Sequence, residues 1–182
     1  MSRTRNRLKL MSFKRNDSGV SAVEFALLAP MMIGLYLGGV EVSEGISVDR
    51  KVTLAAGAVA NLAAQGTTLS TADMTNVLDA TSTIIAPYSA GPLKITLSCI
   101  NIDANKVATV KWSVTRNGTA RSGSITLPSA LQVANTQLVF GEVSYSYTPT
   151  VGHMIKSAIN LSDTMYMAPR ITAPKYNGIA CT

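Results

Sequence analysis

The sequence predicts an α+β fold, in which a long N-terminal transmembrane helix is followed by a small domain with a short helix and an antiparallel sheet. Three patterns carry this prediction: a long apolar run, a helical spacing of apolar residues after it, and alternating strand-like segments beyond residue 92. We therefore divide the chain into a basic leader at 1–19, a transmembrane helix at 20–40, a helix extension at 41–65 and an extracytoplasmic α+β domain at 66–182.

The transmembrane helix is predicted from the run at 20–40, which has 21 residues and one charged side chain, Glu24. As a helix it is about 31 Å long, which matches a hydrocarbon core of about 30 Å. Six of the 16 Lys and Arg residues precede the run. Positive charge at this place keeps that end in the cytoplasm. The expected location is a bacterial inner membrane, with the N-terminus cytoplasmic and the C-terminal domain periplasmic.

A basic cluster can also bind nucleic acid, so the distribution of charge matters. The chain carries a formal net charge of +6, yet from Val20 onward it has 10 basic against 9 acidic residues. The basicity therefore belongs to the leader. We predict the inner membrane as a partner and no nucleic acid.

Three kinds of export segment fit a basic stretch before an apolar run: a cleaved signal peptide, an uncleaved anchor, and a segment that is cut before its apolar core. The run is long for a signal peptide, and its end makes a poor cleavage site. Glu24 bears on the choice, because a carboxylate near the centre of a membrane helix costs about 2.5–3.5 kcal/mol, and less near an end. Either a partner cation, such as a new N-terminal amine at Val20, or water at the headgroups would offset this cost.

The stretch at 18–30 resembles the prepilins of the type IV pilus superfamily and is most similar to TadE-like pseudopilins of tight-adherence (Tad) pilus systems. The family pattern places a glycine before the scissile bond, a glutamate five residues after it and an aromatic residue next. Gly19, Glu24 and Phe25 occupy these places, and Pro30 matches a proline that is typical midway along the apolar run.

This resemblance, which covers roughly residues 18–60, implies a pilin-like fold and a structural role in pilus assembly. A prepilin peptidase would cleave between Gly19 and Val20 on the cytoplasmic face, and the apolar helix would then stay as an anchor or pack into a surface pilus. Glu24 would neutralise the amine of a neighbouring subunit. The implied partners are this peptidase, other pilins and the Tad machinery.

The long helix carries two packing patterns. Pro30 removes one backbone donor and predicts a kink near Ala26. Gly34 and Gly38 have the small-xxx-small spacing that lets membrane helices approach closely, although glycine is also simply common in such helices. In the extension, an apolar seam predicts packing against the chain's own domain or against neighbouring subunits. The seam consists of Val48, Val52, Ala55, Val59 and Leu62, and Gln65-Gly66-Thr67-Thr68 would end the helix.

The outer domain begins with Ser70-Thr71-Ala72-Asp73, a helix start with an acidic residue three positions after the cap. A short amphipathic helix follows and ends before Pro87. Strands are predicted at 93–100, 107–116, 124–127, 138–147 and 164–171, while residues 151–160 stay open between loop and helix. Val110, Trp112 and Val114 should share one face of the second strand.

Cys99 and Cys181 are the only cysteines in the sequence. Outside the cytoplasm an even pair predicts a disulfide, here between the first long strand and the tail, and a reactive thiol pair is the alternative. The chain-entropy model gives such a bond on the order of 4 kcal/mol of stabilisation.

The sequence shows little sign of catalysis, and we predict no catalytic residue, no metal site, no cofactor and no small-molecule substrate. His153 is the only histidine, which excludes a multi-histidine metal site, and no nucleophile motif surrounds it. Three functions stay open: a pseudopilin or minor pilin in Tad-type pilus assembly, an unprocessed single-pass periplasmic scaffold of a secretion or pilus machine, and a membrane-tethered hydrolase built on His153. The resemblance favours the first.

Overall fold

A computed structural model describes residues 17–149 and 157–182. It begins with one long helix, α1 (Asp17–Gln65), which joins the predicted transmembrane helix and its extension and continues through Pro30. The kink near Ala26 stays a prediction. The helix ends at Gln65, where the next residue's N–H donates to the Ala63 carbonyl at 3.2 Å. The leader up to residue 16 and His153 lie outside the described residues.

The second half of α1 packs against the chain's own domain. Its buried face is made of small and β-branched residues, which are at most 2% exposed: Val48, Val52, Ala55, Ala56, Val59, Ala60, Ala63 and Ala64. The predicted seam was wrong at its last position, because Leu62 is 38% exposed. Ala63 takes the buried position instead. Its methyl group lets the helix lie closer to the sheet than a leucine side chain would.

Five strands form an antiparallel sheet: β2 (Leu93–Ile102), β3 (Ala108–Arg116), β4 (Gly123–Ile125), β5 (Thr136–Tyr147) and β6 (Ile159–Met167). Their order across the sheet is β4-β3-β2-β5-β6. Together with the helices they confirm the predicted α+β fold class. α1 lies over β5 and β6, and the main apolar core fills the space between the helices and this face of the sheet.

A bulge in β3 overturns one prediction about sheet faces. Cys99 pairs with Trp112 but Ile100 pairs with Val110, so one extra residue, Lys111, stands in β3. An extra residue reverses the alternation of side chains along a strand. Trp112 therefore faces the helices, whereas Val110 faces the opposite side of the sheet together with Ile100.

The end of the chain also differs from the prediction. The last long strand, expected at 164–171, spans Ile159–Met167 and includes the end of the segment left open between loop and helix. After Met167 the chain leaves the sheet and contacts the C-terminal end of α1. There the Arg170 N–H donates to the Ala64 carbonyl at 3.0 Å. Two short strands that sequence reasoning missed, β1 (Thr68–Leu69) and β7 (Lys175–Tyr176), pair in parallel.

The helix and the sheet approach each other very closely at Gly141 in β5. A Cβ at this position would lie 2.8 Å from Cγ1 of Val59, 2.9 Å from the carbonyl oxygen of Ala56 and 3.2 Å from Cβ of Ala60. Real Cβ atoms do not approach other heavy atoms so closely, and two of these three are parts of α1 that cannot rotate away. Glycine at this strand position therefore sets the distance between the two layers.

The second helix, α2 (Thr71–Thr83), starts with the predicted cap. The Asp73 N–H donates to Oγ of Ser70 at 3.2 Å, and the Ser70 N–H donates to Oδ2 of Asp73 at 2.9 Å. Reciprocal bonds of this kind satisfy backbone donors at a helix start. α2 lies beside α1, whose Lys51 ammonium donates to the Ala86 carbonyl at 2.6 Å just beyond α2.

The C-terminal tail is fastened to the core at several points. Cys99 and Cys181 form a disulfide with Cα atoms 5.9 Å apart, which closes a loop of 82 residues. The Trp112 indole N–H donates to the Pro174 carbonyl at 3.0 Å, and its ring lies 5.8 Å from that of Tyr176. The tail is thus part of the packed domain.

We expect Gly141→Ala to lower the free energy of unfolding by about 1–3 kcal/mol, the usual cost of overpacking a core. The measurement is denaturant unfolding of the full chain in detergent, followed by fluorescence of Trp112. Gly45→Ala is the matched control, because its added Cβ would meet the Tyr147 ring at an ordinary 3.7 Å. Equal stability of Gly141→Ala and wild type would contradict the close-contact explanation.

Candidate membrane anchor and assembly site

The candidate site is the apolar first half of α1. An 18-residue window of this helix has a mean hydropathy of 1.8, and none of it is buried against the rest of the chain. Among the described residues, α1 is the one helix long and apolar enough to cross a membrane. Most of its large apolar side chains are 56–73% exposed: Val20, Val23, Phe25, Leu27, Leu28, Met31, Met32, Ile33, Leu35 and Tyr36. An apolar surface of this extent needs a lipid or protein environment.

The predicted processing residues lie in the first turns of α1. Gly19, Val20, Glu24 and Phe25 are all exposed, and a Cβ at Gly19 would meet no atom within 4 Å. Glu24 follows Val20 by four residues, which is about one turn and about 6 Å along the axis. An amine at Val20 and the Glu24 carboxylate would thus lie at adjacent depths in a membrane.

The predicted helix-packing residues lie further along the same half. Pro30 is exposed, and Gly34 and Gly38 lie one turn apart with partial exposure. A Cβ at Gly34 would meet no atom within 4 Å. The domain does not cover this side of the helix, so the surface around Gly34 is accessible to another helix.

An acidic junction, which the sequence analysis missed, lies where α1 reaches the domain. Glu41 is only 1% exposed, and Glu44 accepts a hydrogen bond at 3.2 Å from the Tyr147 hydroxyl at the end of β5. The sequence does show two acidic residues, Glu41 and Glu44, about one turn apart directly after the apolar run. The phenol that binds Glu44 lies 103 residues further along the chain, and the linear sequence gave no signal of this contact.

The phenol at this junction is strongly held in its protonated form. Tyr147 is 3% exposed, and its burial raises the pKa to about 12, with the Glu44 charge and hydrogen bond acting in the same direction. A protonated phenol is the donor that the contact with Glu44 needs. The junction therefore ties α1, just after its apolar half, to the last residue of β5.

The family model described as TadE-like protein matches residues 19–61. This part of the chain is similar to TadE-like proteins, and we call it the TadE-like segment. The TadE-like segment begins at Gly19, contains the exposed apolar half of α1 and ends within the buried face of the same helix. It covers about a quarter of the chain. The match confirms the resemblance and relates the chain to pilins of Tad systems. No curated protein and no solved structure matches the chain.

The other predicted features of the site lie apart from this helix. The disulfide between Cys99 and Cys181 lies in the main apolar core and joins the C-terminal tail to β2. Within residues 17–149 and 157–182, no group of three or more His, Cys, Asp or Glu side chains is placed to hold a metal ion. The proteins of the TadE-like family are structural pilus components.

The acidic junction predicts a pH dependence of stability. The pKa of Tyr147 in the folded protein is about 12, above the ordinary value of 10.0. The protonated phenol therefore stabilises the folded state fully below pH 10, and this stabilisation is lost as the pH rises towards 12. We expect Tyr147→Phe to be less stable than wild type at neutral pH and to lose less stability over this alkaline range. Denaturant unfolding at several pH values measures both effects. Tyr36→Phe, which changes an exposed phenol, is the control; identical alkaline profiles for wild type and Tyr147→Phe would refute the assignment.

Proposed function

We propose that the chain is a pseudopilin or minor pilin that takes part in assembly of a Tad-type pilus after its leader is removed behind Gly19. One observation carries the proposal: the TadE-like segment contains a helix half that is apolar and exposed on all sides, and the same helix then becomes the packed spine of a folded domain. Such a helix can sit in lipid first and pack against other helices later, while the domain stays in water.

Glu24 gives the proposed assembly step its chemistry. Once the bond after Gly19 is cut, Val20 carries a positive amine about one helical turn from the Glu24 carboxylate. Each charge alone is unfavourable in an apolar environment, and pairing them between neighbouring subunits removes much of that cost. The pairing also fixes the axial offset between two helices, because any other offset separates the charges.

The proposed location follows from the charge distribution. The leader, with six basic residues, stays on the cytoplasmic side, where a prepilin peptidase acts. The domain then lies in the periplasm, and its disulfide suits that oxidising compartment. The partners in this proposal are the peptidase, other pilins and the Tad machinery in the bacterial inner membrane.

Processing is tested by substitution at the cleavage position. We expect Gly19→Leu to block cleavage, because the bulky side chain stands next to the scissile bond, so that the protein keeps its leader. Intact mass spectrometry of protein purified from cells with the Tad system reads the N-terminus. Gly39→Leu is the control, since an added Cβ there would also meet no atom within 4 Å. A wild-type protein that begins at Met1 would sink the processing step and favour the unprocessed periplasmic scaffold.

Assembly is tested separately at the carboxylate. We expect Glu24→Ala to leave cleavage intact and to lower the amount of this protein in assembled complexes at least about tenfold. A tenfold loss corresponds to about 1.4 kcal/mol of charge-pairing free energy. The measurement is crosslinking of neighbouring helices through single cysteines near Gly34, in membranes and in sheared surface filaments. Ser21→Ala, a change in the same turn, is the control. Wild-type crosslinking in Glu24→Ala would show that this carboxylate does not set the contact.

A further inference from the structure

The face of the sheet that points away from the helices is covered unevenly. One part is apolar and lies under β4 and the segment up to residue 135, where Leu127 and Phe140 join a second buried cluster. The other part is polar and forms an open cleft of about 560 Å³ between the loop at 117–122 and β6. We call it the hydroxyl cleft. It is lined, among others, by Thr96, Thr119, Ser122, Ser144, Ser162 and Thr164.

A polar sheet face exposed to water is ordinary in antiparallel sheets, but here a loop stands over it as a wall. Arg121 holds that loop in place. Its backbone N–H donates to Oγ of Ser113 at 3.0 Å, and its guanidinium forms a two-pronged ion pair with Glu142, in which Nη2 lies 2.6 Å from Oε1. The guanidinium carbon also lies 5.7 Å from the Phe140 ring centroid. The wall is therefore held by a charge-assisted, geometrically specific contact.

The floor of the cleft is also ordered. The hydroxyls of Thr96 and Thr115 lie 3.1 Å apart, and Thr115 donates to the Ile95 carbonyl at 2.9 Å. Gly118 lets the loop descend onto this floor, because a Cβ there would be 2.7 Å from Oγ1 of Thr115. A cleft whose wall and floor are already fixed loses little conformational entropy when a ligand binds.

The charges in the cleft are close to balanced. Arg121 and Glu142 neutralise each other, and Asp163 accepts a hydrogen bond from the next backbone N–H at 2.7 Å. Lys94 adds an exposed ammonium on the lining. A strongly anionic ligand would meet the carboxylate of Glu142, and an apolar ligand would bury hydroxyls without partners. The lining suits a ligand that carries many hydroxyl groups and little charge.

A smaller hollow of about 290 Å³ extends the cleft past Arg121 to an aromatic pair. Phe140 and Tyr166 stack there with ring centroids 4.4 Å apart, and Tyr166 is partly exposed. An aromatic side chain of this kind offers an apolar body with a hydroxyl tip. Sugars have a matching character, because their rings combine an apolar C–H face with a rim of hydroxyls.

We propose that the hydroxyl cleft, together with the aromatic hollow beside it, binds a saccharide chain. The sheet hydroxyls and Lys94 would exchange hydrogen bonds with the sugar hydroxyls, and Tyr166 would contact a ring face. The combined volume falls in the range of about 300–1,000 Å³ that is usual for small-ligand sites. This binding activity goes beyond the role of α1 in assembly and does not depend on whether the leader is cleaved.

The experiment uses the full chain in a phosphocholine detergent, which contains no sugar. Isothermal titration measures binding of two uncharged saccharides, a tetrasaccharide of N-acetylglucosamine and a trisaccharide of glucose. An extended Gly-Ser peptide serves as a different chemical class. We expect saturable binding of a saccharide and a loss of affinity of about tenfold or more in the double variant Lys94→Ala, Ser144→Ala, which removes a charged donor and a hydroxyl. The matched control is Lys111→Ala, Ser146→Ala, two exposed residues on the same sheet outside the cleft lining.

Three results would overturn the proposal: no saturable binding of either saccharide, binding of the peptide alone, or an equal loss of affinity in the cleft and control variants. Ser162→Phe provides a second approach if the double variant unfolds. This exposed residue lines the cleft from the edge strand, so the phenylalanine ring would fill the cleft from outside the core. Unchanged saccharide binding in folded Ser162→Phe would equally exclude the site.

Discussion

The contact between α1 and Gly141 is the constraint on which the rest of the structure depends. A helix can lie against a strand at this distance only where the strand carries no Cβ and the helix offers methyl groups and β-branched chains. Val59, Ala56 and Ala60 meet that requirement within one turn and a half. This contact limits how far apart α1 and the sheet can lie, and the core on both sides of it packs at that spacing.

The same helix is fastened at both ends of its packed part. Near the membrane segment, Tyr147 binds Glu44, and at the distal end Arg170 binds the Ala64 carbonyl and Asn61. The close-packed core between these points joins the second half of α1 and the sheet into one packed unit. The opposite face of the sheet takes no part in this contact, which leaves it available for the hydroxyl cleft.

Much of the fold could be predicted from local patterns. The α1 helix, the Ser70 cap and the alternation along β5 depend on neighbouring residues, so the sequence shows them directly. The face of Val110 could not be predicted, because a bulge at Lys111 depends on pairing with β2. Leu62 was misplaced for a related reason: helical spacing allows either Leu62 or Ala63, and only the sheet decides between them. The short β1 and β7 pair through contacts that no local signal marks.

The sequence by itself determined the apolar half of α1, its basic leader and the Gly19–Glu24 pattern, because each is a property of consecutive residues and of their transfer to lipid. It also determined which two cysteines were available to pair. Only the tertiary structure decided that Glu44 meets Tyr147, that Gly141 sets the layer spacing and that Arg121 closes a wall over the sheet. These contacts join residues far apart in the chain, and their geometry depends on how whole elements pack, which no window of sequence contains.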